Sequence, residues 1–192
     1  MKTKSIMIVG VGGQGTLLAS RLLGAALISV GYDVKVSEVH GMSQRGGSVV
    51  TYVKYGDKVD SPIVQKGQAD LILAFEQLEA ARWLPFLKTD GTIIANTQQI
   101  DPMPVVTGVA TYPDGVLDAI RETGVKLRDV DALSLAVEAG SAKAVNVVLI
   151  GVMAAHMDID RAVWEQAIRE TVPAKFLEMN LKAFDLGYQN AQ

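Results

Sequence analysis

The stretch from Ser5 to Gly47 constrains this chain more than any other. A short apolar run, Ile6–Val9, stops at the cluster Gly10-Val11-Gly12-Gly13-Gln14-Gly15, which opens directly into an apolar helix pattern. A second apolar run, Val34–Val39, stops at a second glycine-bearing loop, His40 to Gly47. Strand, tight turn, helix, strand and loop in that order are the opening unit of a parallel α/β sheet. Both loops leave the carboxyl ends of their strands, so both are expected on one edge of the sheet. In open α/β sheets that edge is where ligands or partners bind.

The first cluster satisfies G-x-G-x-x-G. Glycine permits the tight turn and lets a ligand approach the backbone, while the helix after it presents unpaired N–H groups to an anion. Gly10, Gly12, Gly13, Gln14 and Gly15 are therefore candidates for cofactor or partner binding, against the plainer reading of a glycine turn with no ligand. Glu38 stands roughly where a dinucleotide-binding protein holds a ribose hydroxyl. The segment after the second strand argues against a dinucleotide, because it is not a crossover helix. The chain runs through the loop into a β-rich segment, Ser48–Tyr55, and Gly56-Asp57 predicts a hairpin turn into Lys58–Ile63. A β-hairpin thus replaces the helix and is expected at an antiparallel edge, where Pro62 is tolerated.

The second loop carries Ser43, Gln44, Arg45, Gly46 and Gly47. An arginine beside two glycines can form a concave backbone site completed by a guanidinium, suited to phosphate or carboxylate. It can equally be a solvated loop whose arginine makes a surface ion pair. No residue stands out as a general acid, base or nucleophile; His40 and Glu38 are the catalytic candidates.

Further along, Ala69–Phe75, Gly91–Ala95, Val105–Ala110 and Val125–Val130 read as strands, with Asp101–Pro104 a rigid extended connector. Glu76–Leu84 and Gly115–Thr123 read as helices. The C-terminal third is helical: Ala142–Met157, Asp160–Glu170 and Ala174–Tyr188, with Trp164 a core anchor. Ala142–Met157 is apolar nearly all round, and such a helix is either central in the core or covered by another subunit. The pattern favours a subunit contact, and leaves open whether the isolated chain forms a homodimer. Asn146 within that helix needs a hydrogen-bond partner if buried.

The expected fold class is α/β: a Rossmann-like, mostly parallel sheet with helices on both faces, a β-hairpin edge after the second strand and a helical C-terminal third. At 192 residues, 1–192 is expected to be a single domain. A net charge of −3 spread along the chain is no footprint for nucleic acid. The longest nearly uncharged stretch, Ala144 to Met157, falls short of a membrane span. The glycines and Gln14 interrupt the first apolar run, which favours a buried strand over a signal peptide, and the cytoplasm is the expected location. With no cysteine and only His40 and His156 as imidazoles, thiolate-ligated iron–sulfur clusters, cysteine nucleophiles and cysteine-based zinc sites are excluded from this polypeptide.

Three segments taken with the glycine turn carry a family resemblance: Ser37-Glu38-Val39-His40-Gly41-Met42-Ser43-Gln44-Arg45-Gly46-Gly47-Ser48, Asn146 with Leu149-Ile150-Gly151, and Asn180–Gly187. The chain resembles the gamma-type subunit or domain of the 2-oxoacid:ferredoxin (acceptor) oxidoreductases over nearly its whole length. Glu-Val-His-Gly-Met and Met103-Pro104-Val105 tilt the likeness toward the indolepyruvate branch. The resemblance implies oxidative decarboxylation of an arylpyruvate with coenzyme A to the acyl-CoA, carbon dioxide and reduced ferredoxin. It also implies that thiamine diphosphate, Mg2+ and 4Fe-4S clusters sit on a large partner subunit, with none bound by this chain alone, and that thiamine supplies the electron sink for decarboxylation. The chain's own role would be to complete and cover the active site and the coenzyme A path. A stand-alone NAD(P)- or flavin-binding Rossmann oxidoreductase is the alternative, and a pure assembly module a third reading.

Overall fold

In the computed structural model, which describes residues 2–38 and 46–191, the first apolar run forms β1 (Lys4–Val11). The glycine cluster then turns the chain into α1 (Thr16–Ser29). The helix can start so abruptly because Gly15, its N-cap, adopts φ 82°, a left-handed conformation open to glycine at little cost. The second run is β2 (Asp33–Glu38), which points the same way as β1 without touching it. Between them lies β3 (Ser48–Gly56), antiparallel to both, with Lys4 opposite Tyr55 and Val11 opposite Ser48.

The antiparallel element expected after the second strand is therefore present, with a different partner from the one the turn residues suggested. β3 pairs back onto β2, and residues 58–63 form no strand. The reason lies in β3 itself. Val49, Val50, Thr51, Val53 and Tyr55 are buried, so both faces of the strand are covered, as for an interior strand. β2 holds the edge instead, and the Asp33 carboxylate accepts the Val59 N–H at 2.8 Å, turning the next segment away from the sheet.

The connection through residues 57–68 carries the chain to β4 (Ala69–Ala74) on the other side of β1, in parallel. Then come α2 (Gln77–Trp83), β5 (Leu87–Asn96), α3 (Met103–Val106), α4 (Val116–Glu122) and β6 (Lys126–Val130). The sheet order is β2-β3-β1-β4-β5-β6. The extended connector at 101–104 and the strand at 105–110 are corrected: the segment makes the short helix α3 and a turn. The Pro102 carbonyl accepts the N–H groups of Val105 and Val106 at 2.8 and 3.1 Å. Pro104 sits in the first turn, where its missing N–H costs nothing. The place beside β5 is taken by β6.

The last third forms α5 (Ala132–Ala139), α6 (Val145–Ala154), α7 (Arg161–Thr171) and α8 (Leu177–Asn190). These helices and α1 cover one face of the sheet around Ile6, Ile8, Leu73 and Ile94, with Trp164 and Phe184 fully buried. The α2 and α4 layer covers the other face around Met7, Val9, Ile72 and Ile93. All ten residues of α6 are buried within this chain. The expected subunit contact at α6 is thus replaced by an internal one, because α8 crosses it at glycines. A Cβ on Gly151 would lie 2.2 Å from the Phe184 carbonyl oxygen, and one on Gly187 would lie 2.1 Å from that of Val148. Backbones that close, with every residue of α6 buried, leave no face of the helix for another chain. Among the described residues no helix is long and apolar enough to cross a membrane.

Candidate functional site

The chain leaves β1 toward α1 and β2, and leaves β4 toward α2 and β5 on the opposite side of the sheet. The strand order thus reverses between β1 and β4, which opens a crevice at their carboxyl ends. Gln14 occupies it. Its Oε1 accepts the Val11 N–H at 2.8 Å and its Nε2 donates to the Phe75 carbonyl at 2.9 Å, so the amide ties the glycine turn to the end of β4. Gly10 is required underneath, since a Cβ there would lie 2.9 Å from both Gln14 Oε1 and Phe75 Cβ. Gly15 meets α6: Asn146 Nδ2 donates to the Gly15 carbonyl at 3.2 Å, and Asn146 Oδ1 accepts the Val147 N–H at 2.9 Å. That supplies the partner a buried Asn146 needs.

Gly46, Gly47 and Ser48 form a rim where residues 39–45 rejoin β3. The Gly12 N–H donates to the Gly47 carbonyl at 2.9 Å, locking rim to turn. From the other side the Ser48 hydroxyl donates to Glu79 of α2. Glu79 also accepts from Arg82 Nε at 3.0 Å and Trp83 Nε1 at 3.2 Å. Its neighbour Glu76 caps α2 by accepting the Glu79 N–H at 2.9 Å, and also accepts the Ile100 N–H and the Tyr112 hydroxyl. Burial, with the Glu76 carboxylate next in effect, pushes the Tyr112 phenol far above its ordinary range, so it stays a donor. Asn96 completes the edge by donating to the Phe75 carbonyl at 3.1 Å and accepting the Ala132 N–H at 3.2 Å.

Three clefts surround the glycine turn. One of about 290 Å³ is lined by Gly12, Gly13, Gly15, Thr16, Leu17 and Val49, and there the first turn of α1 has no side-chain cap. A second, of about 460 Å³, lies by Gly13, Gln98, Leu133 and Lys143. The third, of about 400 Å³, lies between the rim, Glu79, Arg82 and the Pro102–Pro104 segment. All three are open grooves that suit an anionic or extended group laid across the edge, more than an enclosed substrate pocket.

The structure brings the turn residues Gly10, Gly12, Gly13, Gln14 and Gly15 together with Gly46 and Gly47. Glu38 lies beside α1, where its carboxylate accepts from the Ser20 hydroxyl at 2.7 Å. His40, Ser43, Gln44 and Arg45 lie outside the described residues. Sequence reasoning missed Glu76, Glu79, Asn96 and Tyr112. Its one available signal was a pair of carboxylates three residues apart where β4 becomes α2, the spacing that lets the first cap the second's N–H. Among the described residues, no three His, Cys, Asp or Glu side chains are grouped so as to hold a metal ion. Together with the absence of cysteine, this leaves no ligand set here that fits an iron–sulfur cluster, and Gln14 fills the crevice in which doubly wound folds seat a dinucleotide.

An open α/β edge of this kind, with outward grooves around the glycine turn, presents a binding surface. The family model for pyruvate ferredoxin/flavodoxin oxidoreductase matches residues 5–190, and the chain belongs to that family. It is 45% identical to the indolepyruvate oxidoreductase subunit IorB of Pyrococcus horikoshii, over 100% of this chain and 98% of that one. Its fold superposes with TM-score 0.74 on the gamma subunit of a keto/oxoacid ferredoxin oxidoreductase from Geobacter sulfurreducens, at 24% identity and covering 98% of each chain. It also superposes, with TM-score 0.76 and 19% identity, on the 2-oxoglutarate:ferredoxin oxidoreductase of Magnetococcus marinus, covering 100% of this chain and 31% of that one. The protein is the small subunit of a 2-oxoacid:ferredoxin oxidoreductase, and the stand-alone dinucleotide enzyme is not favoured.

Proposed function

We propose that this subunit serves an arylpyruvate enzyme, with indolepyruvate as the substrate, and that its carboxyl edge docks on a large subunit carrying the thiamine diphosphate, Mg2+ and 4Fe-4S clusters. The reaction is oxidative decarboxylation in the cytoplasm. The bond from the carbonyl carbon to the carboxylate breaks, carbon dioxide leaves, the acyl group forms a thioester with coenzyme A as the thiol proton is released, and the two electrons pass to ferredoxin. The chain has no cysteine to ligate an iron–sulfur cluster, and in this reading its part is binding and covering. Gly13, Gly15 and the uncapped first turn of α1 supply N–H groups toward an anionic group, and Ser43, Gln44 and Arg45 are the polar residues that the sequence offers as their complement.

The observation that carries the docking reading is the segment from Pro102 to Tyr112. It contains no charged residue; Met103, 65% exposed, lines the cleft that the rim borders, and Val106 and Val109 further along the segment are 66% and 83% exposed. Apolar exposure of that order next to a polar groove is what a subunit interface leaves bare when its partner is absent. The 45% identity to an indolepyruvate oxidoreductase subunit supports the substrate.

The test is a mild affinity purification of this chain from its own cells, followed by a visible absorption spectrum and a dye assay. A brown complex with a larger, cysteine-rich chain that reduces a viologen on addition of indolepyruvate and coenzyme A is the expected result. A colourless chain recovered alone that binds NAD(H) tightly would overturn the proposal.

A further inference from the structure

Buried carboxylates are costly unless their oxygens are fully bonded, so a pair of them beside a binding edge calls for a role. Glu76 and Glu79 are 1% and 4% exposed. Between them they receive donors from four separate segments: the rim at Ser48, α2 at Arg82 and Trp83, the connector at Ile100, and Tyr112. Of the two, only Glu79 reaches the rim. Apart from the backbone pairing of Ser48 with Val11 in the β1–β3 ladder, the rim has few other restraints. Gly46 has a left-handed φ of 92° and adds no side-chain contact, and Gly47 offers its carbonyl to Gly12. Ser48 is thus the first residue after the loop whose side chain is anchored.

We infer that Glu79 is a positioning residue for the carboxyl edge: through the Ser48 hydroxyl it fixes the Gly46–Gly47–Ser48 rim against α2, and so helps set where Gly47 meets the glycine turn. The linkage is serial. Glu79 holds Ser48, Ser48 places the Gly47 carbonyl, and that carbonyl holds the Gly12 N–H of the turn. On the same carboxylate, the bond to Arg82 Nε orients the guanidinium at the wall of the same cleft. Glu79 touches no substrate in this arrangement and acts through the rim. The inference rests on the reading that this edge faces the large subunit.

The test uses Ser48→Ala, which deletes the donor, Ser48→Thr, which keeps it on a residue favoured in strands, and Glu79→Gln. Amide hydrogen exchange on the isolated chain comes first, because it needs no partner. Protection of the Gly12 amide should fall at least about tenfold in Ser48→Ala and Glu79→Gln, and return in Ser48→Thr, while the amides of β4 keep their protection. In the assembled enzyme, kcat/KM for the 2-oxoacid should fall about tenfold in Ser48→Ala with complex formation intact, and the double variant should be no worse than Glu79→Gln alone. Gly12 protection unchanged in Ser48→Ala, or equal losses in Ser48→Ala and Ser48→Thr, would overturn the inference. An assembled enzyme that forms yet ignores indolepyruvate would instead overturn the proposed substrate and leave the exchange result standing.

Discussion

Gln14 and Asn146 show at the scale of single residues what a motif conceals. The glycine pattern pointed to a turn made for a ligand, and the glycines are indeed where a turn needs them. The side chain between them is spent on the fold, with both ends of the Gln14 amide on backbone groups of β1 and the end of β4. One sequence cannot reveal this, since an amide that binds a ligand and one that binds a carbonyl are the same letter. Gly13 and Gly15 both have positive φ, at 100° and 82°, but only Gly15 faces a neighbour, with its absent Cβ 2.5 Å from Asn146 Nδ2. Gly13→Ala should therefore cost about 1 kcal/mol from backbone strain alone. Gly15→Ala should cost roughly 2 kcal/mol or more, because Asn146 must also give up the Gly15 carbonyl. Urea unfolding of the two variants measures the difference, and equal costs would show that the Asn146 contact contributes nothing.

The elements were readable in the sequence wherever one periodicity ruled a segment, as in β1, α1, β4, α7 and α8. They were misread where pairing across the sheet decided the outcome. Residues 58–63 look like a returning strand after Gly56-Asp57, yet β2 already fills the far side of β3. A local pattern cannot announce which strand is a neighbour's neighbour. The same holds for α6, whose all-apolar sequence fits a subunit contact as well as a core helix until the glycines of α6 and α8 are seen to face each other. Gly151→Ala and Gly187→Ala should each destabilise by about 3 kcal/mol, since both new methyl groups would strike backbone that cannot swing away. Gly24→Ala on α1, where a Cβ meets nothing within 4 Å, should stabilise by about 0.5–1 kcal/mol. Thermal unfolding of the three gives the signs directly.

A cap offers a pH test of the same layer. Asp131 starts α5 by accepting from the Ser134 hydroxyl and the Ser134 N–H at 2.6 and 3.0 Å, and these bonds hold its carboxyl below the usual carboxylate range, the side-chain bond most strongly. A carboxyl depressed in the folded state adds stability that is present above the unfolded value near pH 4 and is lost as pH falls through the lower folded value. Asp131→Ala should therefore cost about 1 kcal/mol at pH 7. The gap between variant and parent should narrow as the pH drops below about 4. A gap that stays constant through that range would contradict the assignment.

At the scale of the molecule, the two edges of the sheet differ in kind. The carboxyl edge gathers the glycine turn, Gly46 and Gly47, three grooves and the apolar Met103–Val109 segment. At the amino edge a cavity of about 230 Å³ lies between Tyr32, Tyr55 and His156, with the Tyr55 phenol pushed up to about 12 by burial. That asymmetry stems from the strand directions, and the order of apolar runs already implied it. The side-chain network that holds the edge, from Ser48 through Glu79 and Glu76 to Tyr112, joins residues far apart in the chain, and its only local trace is the Glu76–Glu79 spacing. Because the chain has no cysteine, each edge can be blocked by itself. Lys143→Cys on the carboxyl edge and Asp158→Cys on the amino edge, each labelled on the isolated chain with a bulky maleimide and then mixed with the large subunit, test the central claim most directly. The docking account predicts that the label at position 143 abolishes assembly and indolepyruvate-dependent dye reduction, while the label at position 158 leaves both intact. Assembly that survives the first label and fails with the second would place the partner on the opposite edge and contradict the account.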